Sequence, residues 1–189
     1  MKLTIILTAI AVVSASAQTA PMKPAATTAS TAKPAANMGT AETAPVSLQV
    51  LRGLERGMDT RIATTGGKIP CNVLSSSRGI YVSGLGAVFS AEVELAPTPG
   101  SVGVFANISP QQKARYRQDK LANVPLLEQT LRDMALSLAA SPALRLADNE
   151  QVVVAARLVY RSWEDLTGMP GQIVAHLDRR GGTVKMEVQ

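Results

Sequence analysis

Few residues in this chain have side chains suited to covalent or acid–base chemistry. Cys71 is the one thiol and His176 the one imidazole. A cysteine nucleophile needs a base beside it, and His176 is the only histidine that could serve. Both fall in β-prone runs, so a sheet could make them neighbours. Each also has a plainer role. Cys71 suits a small buried hydrophobe, or one half of an interchain disulfide in an oxidising compartment. His176 alternates with Ile173, Ala175 and Leu177 and so should face solvent or a sheet edge. Glu92 and Glu94 stand two apart on one strand face. Paired carboxylates run glycoside hydrolysis when they flank a scissile bond, but neighbours on one strand point in parallel. They fit a solvated face better, or salt bridges to Arg157 and Arg161 on another strand.

Trp163, Glu164 and Asp165 form a candidate contact point, because an exposed tryptophan often anchors an interface. The alternative is a tryptophan folded back over the sheet edge. Lys113, Arg115, Arg117 and Lys120 could form a patch for anionic polymers, or a solvated helix face. Gly84-Leu85-Gly86 is half a dinucleotide fingerprint and leads into a strand, not into the helix a phosphate site needs. It reads as a bulge or tight bend. A single cysteine excludes a CxxC knuckle, a single histidine excludes HExxH, and no DxDxDG, GxSxG, SxxK or Walker pattern occurs. Ser75, Ser76 and Ser77 with His176 are no triad signature. No metal, cofactor or catalytic residue is assigned.

These residues must be held by the elements around them. Val50, Leu51, Leu54 and Met58 recur at helical spacing, with Thr43 as the expected N-cap and Pro45 in the first turn. Gly53 and Gly57 weaken that helix. Residues 71–74 and 80–82 are short β-prone runs around a loop at 75–79. Residues 87–95 alternate, with Phe89, Ala91, Val93 and Leu95 on one face and Ser90, Glu92 and Glu94 on the other. Pro97 and Pro99 end that strand and residues 100–108 make a loop. Ser109, Pro110 and Gln112 are a capping box with proline at N1. The basic helix they start is expected to break at Asn123 and Pro125. A second helix then carries Leu127, Leu131, Met134 and Leu138.

Residues 151–160 are apolar on both faces, as in an interior strand. Residues 163–171 form a loop and 172–178 a strand. Gly181-Gly182 suggests a two-residue turn into 184–188. The order predicts an α+β fold: one domain with a mostly antiparallel sheet and helices packed on one face.

That domain spans residues 46–189 of the 189, enough to bury a core without disulfides. Before it, residues 1–17 read as a secretory signal peptide. Lys2 is the n-region, residues 3–13 are too short to span a bilayer, and Ser14-Ala15-Ser16-Ala17 is a cleavage site. Residues 18–45 are a disordered linker, with nine Ala, six Thr and four Pro among 28. Cleavage removes Lys2 alone among the charged residues and lowers the formal charge from +5 to +4. The excess attracts anionic surfaces weakly. Export and a mere six aromatic residues argue against nucleic acid.

The run from Gly79 to Leu95, GIYVSGLGAVFSAEVEL, resembles a segment of uncharacterised exported bacterial proteins with a Y-x-x-G-x-G-A-V-F-x-x-E-V-x-L string. Residues 163–165 resemble them more faintly. The resemblance implies an envelope setting and a similar fold, and no chemistry.

The sequence thus predicts an exported, non-enzymatic envelope protein, periplasmic or extracellular. It would bind another envelope protein or an anionic surface, with no transmembrane segment after cleavage and an oligomeric state left open. The alternative is a periplasmic hydrolase gathering His176 with Cys71, Glu92 or Glu94. A third reading, a self-associating protein, requires a free strand edge.

Overall fold

A computed structural model describes residues 46–97 and 108–189. The expected signal peptide, the whole linker with Thr43 and Pro45, and the loop from Pro99 to residue 107 lie outside the described residues. The elements run α1 (Leu48–Ala63), β1 (Asn72–Val82), β2 (Gly86–Glu94), α2 (Pro110–Ala139), β3 (Gln151–Leu158), β4 (Gln172–Asp178) and β5 (Val184–Val188). The strands form one sheet in the order β1-β2-β3-β4-β5, antiparallel except for the central β2–β3 pair. This is the predicted α+β fold.

Strand alternation decides the core. Phe89, Ala91 and Val93 of β2, Val152, Val154 and Ala156 of β3, and Ile173, Ala175 and Leu177 of β4 are buried on one face. Onto it pack Leu51, Met58 and Ile62 of α1 and Leu127, Leu131, Met134 and Leu138 of α2. Among the described residues no helix covers the opposite face. Register places Ile80, Val88, Val153, His176 and Lys185 in one row across it, with Arg78, Ser90, Ala155, Val174 and Glu187 in the next.

Four local expectations are corrected. The cap of α1 is Ser47, whose hydroxyl accepts from the N–H of Val50. Residues 75–79 are not a loop: β1 is one strand of 11 residues with register shifts between Val73 and Ser75 and between Ser75 and Arg78. Two carboxylates of α1 hold these bulges. Asp59 accepts from the N–H and hydroxyl of Ser77, and Glu55 from the N–H of Gly79.

The helix break at Pro125 does not occur either. Helix α2 runs unbroken through it for 30 residues. An interior proline costs about 3 kcal/mol. Packing on both sides offsets that, because Asn123, buried, bonds Ile69 O, Leu95 O and the Gly67 N–H, while Leu127 and Leu131 fill the core. The predicted capping box of Ser109 and Gln112 is present. Finally, β4 and β5 are joined by residues 179–183, not by a two-residue turn; Gly182 has φ +61° and donates to Asp178 O.

The bend at Gly84-Leu85-Gly86 is as tight as its glycines suggest. Leu85 N–H donates to Val82 O, with Gly84 at φ +80°. At Gly86, φ +120°, a Cβ would lie 1.9 Å from Gln151 O, so no side chain fits there.

Candidate functional site

At about 1.5 Å per residue α2 is about 45 Å long, and nine residues of strand span about 30 Å. The N-terminal turns of α2 therefore overhang the C-terminal ends of β2 and β3. The loop at 159–171 comes back against this overhang, and here most of the sequence-predicted residues meet.

Lys120 is the centre. Its side chain has no exposed surface. Nζ donates to both oxygens of Glu164, at 2.7 and 2.8 Å, and lies 3.8 Å from Glu94 Oε1. It also sits 5.5 Å from the centroid of the Tyr160 ring. Arg161 Nε reaches Glu94 Oε1 at 3.4 Å, and its backbone N–H donates to Glu164 Oε1. Two cations and two carboxylates thus form a neutral quartet under the loop. Tyr160 closes the loop by donating from its hydroxyl to Pro170 O at 2.6 Å. Burial, helped by the Glu164 charge, pushes the Tyr160 phenol up to about 12.

The basic run of α2 is therefore not one solvated patch. Lys113 and Arg115 are exposed, Arg117 is half-buried and Lys120 is sealed in. Arg117 donates to Thr167 O and lies 3.8 Å from Asp165 Oδ2. Asp165 accepts from the Thr167 N–H, which with the Thr167 hydroxyl and Arg117 holds its carboxyl below the ordinary range. Trp163 is half-buried, its ring 6.2 Å from that of Tyr116 and 6.0 Å from Lys113 Nζ. The tryptophan folds onto α2, not over the sheet edge. Trp163, Glu164 and Asp165 thus each engage α2, and the arrangement fastens a loop to a helix.

The pair Glu92 and Glu94 is split. Glu92, at the surface, pairs with Arg157 across the β2–β3 register at 3.1 Å. Both carboxylates thus make the arginine pairs the sequence offered, Glu94 with Arg161, but Glu94 is not on a solvated face: it is 2% exposed because the strand end is covered by Lys120, Arg161 and Glu164. The one stretch that could have revealed the site is helical spacing. Lys120 and Asn123 continue the stripe of Leu127, Leu131, Met134 and Leu138 toward the N-terminus, so polar residues occupy positions where a core residue belongs.

Cys71 and His176 do not meet. Cys71 is buried just before β1, with two strands between it and β4. By register the His176 row lies about 23 Å along the strands from it, at 3.3 Å per residue. Burial pushes the Cys71 thiol up to about 11, opposite to what a nucleophile requires. His176 lies on the open sheet face, 3.8 Å from Glu187 of β5. Glu92 is two rows from it.

A second clasp escaped the sequence reading. Glu150, 2% exposed, accepts from the Tyr81 hydroxyl at 2.8 Å, the Gly84 N–H at 2.9 Å and the Ala147 N–H at 2.9 Å. Burial alone would raise its carboxyl. The N–H groups of Ala147 and Gly84, the Tyr81 hydroxyl and the charge of Arg179 outweigh that and hold it low. The clasp fixes the β1–β2 hairpin tip, where Ile80, Val82 and Leu85 are 57%, 45% and 46% exposed.

Among the described residues no group of three His, Cys, Asp or Glu could hold a metal ion, and no helix is long and apolar enough to cross a membrane. The hollow at the end of α1, about 480 Å³, is lined by Arg61, Thr65, Gln129 and Asp133 among others and by none of the sequence-predicted residues. No family model, curated protein or solved structure matches the chain.

Proposed function

We propose that this chain is an exported, non-enzymatic binding module of the cell envelope that engages another envelope protein through the tip of the β1–β2 hairpin. The observation that carries the reading is the clasped tip. Glu150 fastens it through three hydrogen bonds while Ile80, Val82 and Leu85 are left facing solvent. Apolar side chains on a rigid turn lose little conformational entropy on binding and favour removal from water. The separation of His176 from Cys71, and the use of Glu92 and Glu94 in ion pairs, argue against the hydrolase reading. The predicted signal peptide supplies the compartment.

The test is site-specific photocrosslinking in cells producing the whole chain, with the crosslinker at Val82 or, as a control, at Arg132 on the exposed side of α2. One defined envelope protein captured from position 82, not from 132, and lost in Leu85→Glu is the expected result. Equal capture from both positions, or none from 82, removes the reading. N-terminal sequencing of the exported protein should begin at Gln18.

A further inference from the structure

The sheet has two edges, and they are built differently. At the β1 edge the strand is bulged, and Glu55 and Asp59 take backbone N–H groups of Gly79 and Ser77. Bulges and covering side chains are the usual means of blocking further strand pairing. Among the described residues, nothing of either kind is found at β5. Its register with β4 is unbroken from Val184 opposite Leu177 to Val188 opposite Ile173.

Just past this register, Gln172 and Gln189 exchange both of their backbone hydrogen bonds, at 3.1 Å each. Alternation from that pair turns the N–H and C=O groups of Glu187 and Lys185 toward β4. Those of Val184, Met186 and Val188 point away from the sheet. No described residue takes these outward N–H groups.

We propose that β5 pairs antiparallel with β5 of a second copy, giving a two-fold dimer with a continuous ten-stranded sheet. The order Val184-Lys185-Met186-Glu187-Val188 is self-complementary in charge when read antiparallel to itself. Outward groups must meet outward groups. Centring the pairing on Met186 satisfies this and sets Val184 opposite Val188, Met186 opposite itself, and Lys185 opposite Glu187 of the second copy, twice by symmetry. The backbone also allows centres at Lys185 or Glu187, but these place lysine against lysine or glutamate against glutamate, which is unfavourable. One register is thus selected by charge. Lys185 and Glu187 lie in the rows of His176 and Val174, so both cross-pairs form on the face opposite α1 and α2. A five-residue edge buries little area, so the dimer is weak and concentration-dependent.

Sedimentation equilibrium of the whole 189-residue chain tests this over roughly 10 μM to 1 mM. The mass should rise from 19.8 kDa toward twice that value. Lys185→Glu and Glu187→Lys should each raise the dissociation constant about tenfold or more, since two attractive pairs become two repulsive ones. Mixing those two variants should restore association as a heterodimer, and so should the double variant K185E/E187K. This rescue separates lost pairing from lost folding. Met186→Cys should form an interchain disulfide on mild oxidation, because facing residues of a hydrogen-bonded pair have Cα atoms about 5.5 Å apart. A chain that is monomeric at the highest concentration overturns the proposal. So does a dimer indifferent to each charge reversal, or an uncrosslinked Met186→Cys. These readouts do not depend on the hairpin tip, so failure of the crosslinking at Val82 leaves them intact.

Discussion

The β1 side of the molecule and the overhang of α2 both draw carboxylates away from water, and they satisfy them by different means. On the β1 side, Glu55, Asp59 and Glu150 accept mainly from backbone N–H groups. Under the 159–171 loop, Glu94 and Glu164 are held mainly by the side chains of Lys120 and Arg161. Main-chain donors are present whatever side chains surround them, so the first kind is lost only by changing the acid or moving the backbone. The second kind fails when either partner is truncated, because the remaining charge is stranded in a dry site. The same residue type is therefore robust in one region and fragile in the other.

The largest expected effect follows from that contrast. Lys120→Ala leaves Glu164 and Glu94 with Arg161 alone and should cost about 3–5 kcal/mol in urea unfolding. A loss below about 1 kcal/mol would mean that water or Arg161 replaces the ammonium, and the two regions would then not differ.

Next is Glu150→Gln, which sets an amide NH₂ against N–H or hydroxyl donors and should cost about 1–3 kcal/mol at pH 7. The pH dependence gives this its signature. The folded-state pKa of Glu150 lies below its ordinary 4.5. Its contribution is therefore complete above that value and is lost as pH falls through the folded-state value. The stability gap between the native chain and the variant should narrow as pH falls below 4.5 and through the folded-state value. A gap that stays constant from pH 7 to 3 would show that the carboxylate is not held by its donors.

The most gradual effect, spread over several pH units, belongs to the alkaline side. Burial raises Cys71 from 9.0 to about 11, and burial with the Glu164 charge raises Tyr160 from 10.0 to about 12. Raised values stabilise the fold below the unfolded-state pKa, and the contribution is lost as pH climbs through the folded one. Thermal midpoints should therefore decline from pH 9 upward. Cys71→Ala should flatten the part between 9 and 11 while leaving the part above 10 that Tyr160 contributes. An unchanged slope in that variant would place the thiol in contact with solvent.

Much of the fold is legible in the residues because it rests on short-range rules. The alternation through Phe89, Ala91 and Val93, and the box of Ser109 with Gln112, need only neighbours in the chain. What escapes is set by partners far along it. Residues 75–79 read as a loop because three serines, an arginine and a glycine have poor strand propensity; Asp59 and Glu55, on another element, make them a bulged strand. Pro125 reads as a helix end because the local cost is real, while the bonds of Asn123 to residues 67, 69 and 95 are invisible locally. Lys120 reads as one cation in a basic run, and only its position on the Leu127–Leu131 stripe marks it as interior. Nothing in the sequence pattern around Glu164 signals its pairing with a lysine 44 residues earlier.

The parallel seam between β2 and β3 also bears on how the chain reaches this structure. β1 with β2, and β4 with β5, are joined by three and five residues and β3 with β4 by the 159–171 loop, all far shorter than the path between β2 and β3. The seam instead sets Phe89 beside Val154 and Ala91 beside Ala156, across the whole length of α2. Its loop-closure entropy must be met before its contacts reward it. The hairpin and the three-stranded meander are thus local in sequence, and their union across α2 is the sequence-distant contact that topology makes slowest to close.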